Sequence, residues 1–131
     1  MPYYRKHFTL AEARATLPAL RRRLLRIQEL LAEVRAAQSH EGATLTVVMR
    51  GNGKGPILSG VDARNQEAQR MVEEIAADGI QIKDLERGLV DFPHFLQGRE
   101  DHEVFLCWHL GEGTIEYWHE IEDGIAGRER L

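Results

Sequence analysis

The chain has a single cysteine, Cys107, among its 131 residues, so no internal disulfide framework can form and a reducing compartment suits it. It also lacks any apolar run approaching the ~18–20 residues that span a bilayer, and residues 1–7 hold no apolar stretch of the kind a secretory signal needs. A cytoplasmic protein without a membrane span is expected. Hydrophobic residues at 43% and charged residues at 29% match soluble globular domains, which excludes disordered and collagen-like classes. The length fits one domain over residues 1–131 with a sizeable core and excludes a multidomain enzyme.

There is no basic excess either, since the net charge is −4. Residues 1–50 nevertheless carry nine basic and four acidic residues, leaving eight basic and seventeen acidic for the rest. Such asymmetry fits a basic nucleic-acid arm, or two halves that attract each other within or between chains. The acidic total favours the second, and nucleic-acid binding is not expected.

The first half reads as a long helix over residues 8–40. Thr9 and Glu12 form a capping-box pattern, with Phe8 placed as a hydrophobic staple. Apolar residues then recur every three or four positions at Leu10, Ala13, Leu17, Leu20, Leu24, Ile27, Leu31 and Val34, a coiled-coil or helical-hairpin seam. Pro18 predicts a kink within it. Arg21, Arg22, Arg23 and Arg26 fan over a wide arc, as a solvated face does and a phosphate-binding stripe does not.

Residues 44–49 fit a broken helix or a short strand, and Gly51–Pro56 reads as a turn whose spacing fails the phosphate-loop pattern. Ser59 offers a cap for a second helix over 59–78, with Val61, Asn65, Ala68, Val72 and Ile75 on one face and Gly79 ending it. The two helices are expected to pack antiparallel.

From Gly79 the period becomes alternating. Strands at Ile80–Lys83, Leu89–Phe92 (ended by Pro93), Glu103–Leu110 and Thr114–Ile121 predict a three- to four-stranded antiparallel meander over 79–122, followed by a tail at 123–131. The fold class is therefore α+β. A two-residue turn at Glu112 and Gly113 would put Val104, Leu106, Trp108 and Leu110 on one face with Ile115, Tyr117, His119 and Ile121. Phe105, Cys107, His109, Glu116, Trp118 and Glu120 would then share the other face; a three-residue loop would exchange one strand's partners.

Cys107, His109, Glu116 and His119 are the residue types that ligate zinc, although the paired spacing of a closed zinc site is missing. In this register His109 lies about 7 Å along the strand from Cys107, too far to act as its base. A lone strand cysteine is ordinarily a small buried apolar residue. Trp108 and Trp118 fit a core or subunit interface, and Asp91 a cap or turn acceptor.

Phe8-Thr9-Leu10 with Glu12, Ala13, Leu17 and Pro18 resembles the opening of the domain-of-unknown-function 2203 family of short prokaryotic proteins. The likeness continues through Ile82-Lys83-Asp84, Gly88–Pro93, Gly98-Arg99, Leu106-Cys107-Trp108, Leu110-Gly111-Glu112, Trp118-His119-Glu120 and Gly124–Arg128. Members often carry a basic residue where His109 stands, which weakens His109 as a ligand. The resemblance implies the fold and no particular activity or cofactor. Its polar members Asp91, Arg99, Trp118, His119, Glu120 and Arg128, with Trp108, mark a binding surface or a fixed ion-pair network. Two functions fit. One is a non-enzymatic homodimer or protein-interaction module, because the helical seam is too apolar to leave exposed. The other is a small metal-binding protein or metal-dependent enzyme built on the Cys107 and His119 region.

Overall fold

The computed structural model describes residues 2–38, 47–49, 55–58 and 62–131. Thr9 and Glu12 form the expected reciprocal cap: the Glu12 amide donates to Thr9 Oγ1 at 3.1 Å and the Thr9 amide to Glu12 Oε1 at 2.9 Å. Helix α1 (Leu10–Gln38) follows and is continuous through Pro18. Ala13, Leu17, Leu20, Leu24, Ile27, Leu31 and Val34 are all buried, as the period of the seam requires. Phe8 packs edge-on against Phe92 and its amide donates to the Pro93 carbonyl at 2.7 Å, fixing the helix entrance to the sheet.

A short ribbon pairs β1 (Val47–Val48) with β2 (Ile57–Leu58), so the strand alternative holds at those two residues. Residues 44–46 of the expected 44–49 segment, most of the glycine turn, Ser59 and Val61 lie outside the described residues. Helix α2 (Ala63–Ala77) begins later than the expected residue 59, because Asp62 supplies the cap, its carboxylate accepting from the Arg64 amide at 2.9 Å. Asn65, Ala68, Val72 and Ile75 form its buried face. Contacts join the start of α2 to the end of α1, through Arg64 and the Glu33 carbonyl, and the end of α2 to the middle of α1, through Asp78 and Arg23.

The main sheet is antiparallel, in the order β3 (Gln81–Asp84), β4 (Leu89–Phe95), β5 (Glu103–Trp108), β6 (Tyr117–Glu120), β7 (Glu129–Arg130). It departs from expectation in three places. Strand β4 runs through Pro93 to Phe95, because β3 pairs only as far as Asp91. Pro93 thus faces a free edge that the Phe8 amide occupies, and no ladder bond with β5 is lost. The segment 123–131 is not merely a tail: it contributes β7 as a fifth strand beside β6.

The third departure matters most. Phe105 pairs with His119 and Cys107 with Tyr117, one residue away from the register of a two-residue turn. The connection spans residues 109–116, and contacts with α1 hold it open. Arg14 donates to the Ile115 carbonyl at 2.7 Å, and Arg21 to the carbonyls of Glu112 and Gly113. Ile115 is fully buried beneath it, and Trp108 Nε1 donates to the Glu112 carbonyl at 3.1 Å. The slip exchanges the faces of β6, so Trp118 joins Leu106 and Trp108 on the helix side, while His119 turns to the side of Phe105 and Cys107.

The core lies between α1, α2 and the helix side of the sheet, where Ile82, Val90, Phe92, Leu106 and Trp108 meet the α1 stripe. The apolar seam is thereby covered within the chain. Among the described residues no helix is long and apolar enough to cross a membrane.

Gly88, in the turn before β4, has φ +63°, and a Cβ there would stand 2.5 Å from Leu110 Cγ. Gly88→Ala combines left-handed strain with this overlap and is expected to cost about 2–3 kcal/mol, read as a lower urea midpoint at unchanged m-value.

Candidate functional site

The sheet face turned away from the helices carries a buried polar cluster. Asp91 from β4, Cys107 from β5 and His119 from β6 are 3%, 1% and 2% exposed, and a ligand atom from each lies within 4.8 Å of the others. Asp91 and Cys107 are direct cross-strand partners, and His119 reaches Asp91 diagonally, with Nε2 3.0 Å from Oδ1. The other ring nitrogen, Nδ1, lies 2.8 Å from the Glu120 carbonyl. A carbonyl only accepts, so Nδ1 carries a proton and Nε2 is the nitrogen that faces the cluster.

Burial alone would disfavour charge on His119. Hydrogen bonds to Asp91, Cys107 and the Glu120 carbonyl, with the charge of Asp91, outweigh it and push the imidazole up to about 10. In the metal-free protein His119 is therefore an imidazolium donating from both nitrogens, half of a buried ion pair with Asp91.

Arg128, just before β7, also reaches Cys107. Its Nη1 is 3.8 Å from Sγ, its guanidinium stacks 3.9 Å over the Tyr117 ring, and it grips Glu112 through two hydrogen bonds. Glu112 also accepts from the His109 amide at 3.1 Å. A cavity of about 310 Å³ opens onto Asp91, Cys107 and His119, with Lys83, Phe105, Ile121 and Asp123 among its walls.

Of the residues singled out in the sequence, Asp91, Cys107, His119 and Arg128 come together here. The others do not. His109 bonds the Leu110 carbonyl through Nδ1 and meets Glu112, with Nε2 3.6 Å from its carboxylate, rather than the three ligand atoms, and exposed Glu116 faces Arg130. Arg99 pairs with Asp101 on the surface, and Glu120 accepts from His102. Trp108 is core, and Trp118 packs against that core with its ring edge-on to His102. Two residues of the site were not singled out as candidates. Glu112 read as part of a turn and Lys83 as the polar half of an alternating strand, although Leu110-Gly111-Glu112 and Ile82-Lys83-Asp84 are both among the clusters of the family likeness.

The cluster does not form a thiol–imidazole–carboxylate relay. Nδ1 is held by the Glu120 carbonyl and Nε2 by the Asp91 carboxylate, so the imidazole meets Cys107 as a donor rather than as a base. It does have the composition of a metal centre, with one imidazole, one thiol and one carboxylate converging in a buried place. The backbone carbonyl on Nδ1 is the outer partner that fixes a ligating histidine's tautomer.

The N-terminal segment is tied down next to this face, with the Tyr4 ring against Phe105. Glu103 holds it by accepting from the Tyr3 amide at 2.7 Å, the Tyr4 amide at 3.1 Å and His7 Nε2 at 2.6 Å. Burial works to raise the Glu103 carboxyl, but these hydrogen bonds and the His7 charge hold it below its ordinary 4.5. A depressed carboxyl contributes stability that is complete above the unfolded value and fades as pH falls through the lower folded value. Exchange protection of the Tyr3 and Tyr4 amides is therefore expected to fade in the wild type as pH falls through the lowered Glu103 value, beneath the ordinary carboxylate range, and to be missing already at neutral pH in Glu103→Gln.

No curated protein and no solved structure matches the chain. One family does: over residues 6–131 the sequence matches the uncharacterized conserved proteins DUF2203, and the chain, from just before the capped entrance of α1 through β7, belongs to that family.

Proposed function

We propose that the protein binds a divalent transition ion, zinc being the natural candidate, through Asp91, Cys107 and His119. The observation that carries the reading is the convergence of these three buried ligand atoms within 4.8 Å. Tetrahedral coordination at ~2.0–2.3 Å sets ligand atoms about 3.3–3.8 Å apart, so only small side-chain adjustments are needed. The Nδ1 bond to Glu120 leaves Nε2 to ligate, and Arg128, anchored by Glu112, balances charge on the sulfur. Three protein ligands beside a cavity match the pattern of metal sites that keep a position open for chemistry.

The interaction-module reading has less behind it. The α1 seam that would drive a homodimer is buried within the chain, and Arg21, Arg23 and Arg26 are engaged by the chain's own carbonyls and carboxylates rather than offered to phosphates. The single thiol suits a reducing compartment such as the cytoplasm, where it stays available as a ligand.

Zinc titration against a competing chromophoric chelator tests the proposal. Wild type is expected to take up stoichiometric zinc, with affinity falling about 100-fold or more in Cys107→Ser and about 10–100-fold in Arg128→Ala. Equal zinc uptake by the wild type and Cys107→Ser would refute it.

A further inference from the structure

Resting on the metal reading, we infer that the N-terminal segment, residues 3–7, is a strap coupled to the metal site: its docking braces His119, and the bound ion in turn tightens its docking. Phe105 stands between the two. It belongs to the sheet face turned away from the helices, yet it is 2% exposed. The Tyr4 ring centre lies 5.3 Å from that of Phe105, and the Lys83 ammonium lies 5.0 Å from it. His119, the cross-strand partner of Phe105, packs its imidazole 5.5 Å from the same ring. A continuous run of ring contacts therefore joins the strap to a ligand of the ion.

One carboxylate holds the strap. Glu103, two residues before Phe105 on the same face of β5, accepts from the Tyr3 and Tyr4 amides and meets His7 Nε2, while the His7 ring stacks on Phe95 at 3.8 Å. Burial and the charge of Glu103 raise the Tyr4 hydroxyl, and the charge of Asp91 adds to them, so the strap ring also stands in the field of a second ligand. Preorganisation sets the sign of the coupling. With the strap docked, Phe105 is packed between Tyr4 and His119, and an imidazole fixed in advance loses less freedom on ligating. With the strap released, Phe105 loses its Tyr4 cover and His119 that brace. Docking thus favours the ion, and by linkage the ion favours docking by the same factor.

The test uses the full chain, zinc as the probe and amide hydrogen exchange as the readout. Saturating zinc is expected to raise protection of the Tyr3 and Tyr4 amides about fivefold, and Glu103→Gln, which releases the strap, to bind zinc about fivefold more weakly. These amides exchange by local opening, which a gain in global stability leaves unchanged, so the response reports coupling rather than general stabilisation. Tyr4→Phe, which keeps the ring, is expected to respond as the wild type does. Tyr4→Ala, which keeps both amides on Glu103 and removes the ring, is expected to lose most of the response. Failure of the wild type to bind zinc would sink the metal reading and this inference together. Zinc bound with Tyr3 and Tyr4 protection unchanged would overturn the inference alone. A response as large in Tyr4→Ala as in the wild type would overturn the ring contacts as its carrier.

Discussion

His119→Ala is expected to be among the most damaging single changes, lowering the stability of the metal-free protein by about 3–5 kcal/mol and abolishing zinc uptake. The loss follows from what remains rather than from what is removed. Asp91, 3% exposed, would keep its place on β4 with no counter-charge 3.0 Å away. Removing both partners tells the two effects apart. Asp91→Leu with His119→Leu replaces a buried ion pair by apolar side chains, and such replacements are often neutral or stabilising. The double variant is therefore expected to unfold near the wild-type urea midpoint while taking up no metal. If it were as unstable as the single variant, the ion pair would be a structural requirement of the sheet and the metal reading would lose its main support.

Trp108→Ala is expected to cost about 3–5 kcal/mol, the range for truncating a fully buried aromatic. Trp108 is the largest side chain with no exposure, and it does more than fill the core. Its indole N–H holds the Glu112 carbonyl, and the Arg21 guanidinium lies 5.5 Å from its ring while bonding the same loop. Loss of Trp108 thus loosens the 109–116 connection that carries Glu112, and with it the anchor of Arg128 beside Cys107. Zinc affinity is expected to fall together with urea stability, though less than in Cys107→Ser, because the three ligands remain. Trp108→Phe, which keeps most of the volume and lacks the N–H, is expected to recover most of the stability and less of the affinity.

The features that local rules govern were legible in the chain. The capping box at Thr9 and Glu12, the α1 stripe from Ala13 to Val34 and the α2 face of Asn65, Ala68, Val72 and Ile75 follow from period and capping chemistry. What tertiary contacts decide was not. Pro93 is tolerated within β4 because β3 has ended beside it, a fact of sheet shape rather than of residue type. Strand β7 is two exposed charged residues and has no hydrophobic signature at all. The register of β5 and β6 depends on arginines of α1, a hundred residues earlier in the chain, that hold the connecting loop open.

The candidate site shares that dependence. Cys107 and His119 were recognisable as ligand types, and Asp91 and Arg128 stood out through the family likeness. Whether they meet is set by a one-residue register. With Cys107 opposite Trp118 the histidine would face the core; with Cys107 opposite Tyr117 it faces Asp91 and the thiol.

The most direct test of the account is native mass spectrometry with elemental analysis on untagged protein. Prepared from zinc-supplemented medium, the wild type should carry a stoichiometric transition ion that Cys107→Ser and the Asp91→Leu, His119→Leu double variant both lack. A folded wild-type protein that emerges metal-free and takes up none on titration with zinc would contradict it, leaving Asp91, Cys107 and His119 as a buried ion pair beside a thiol.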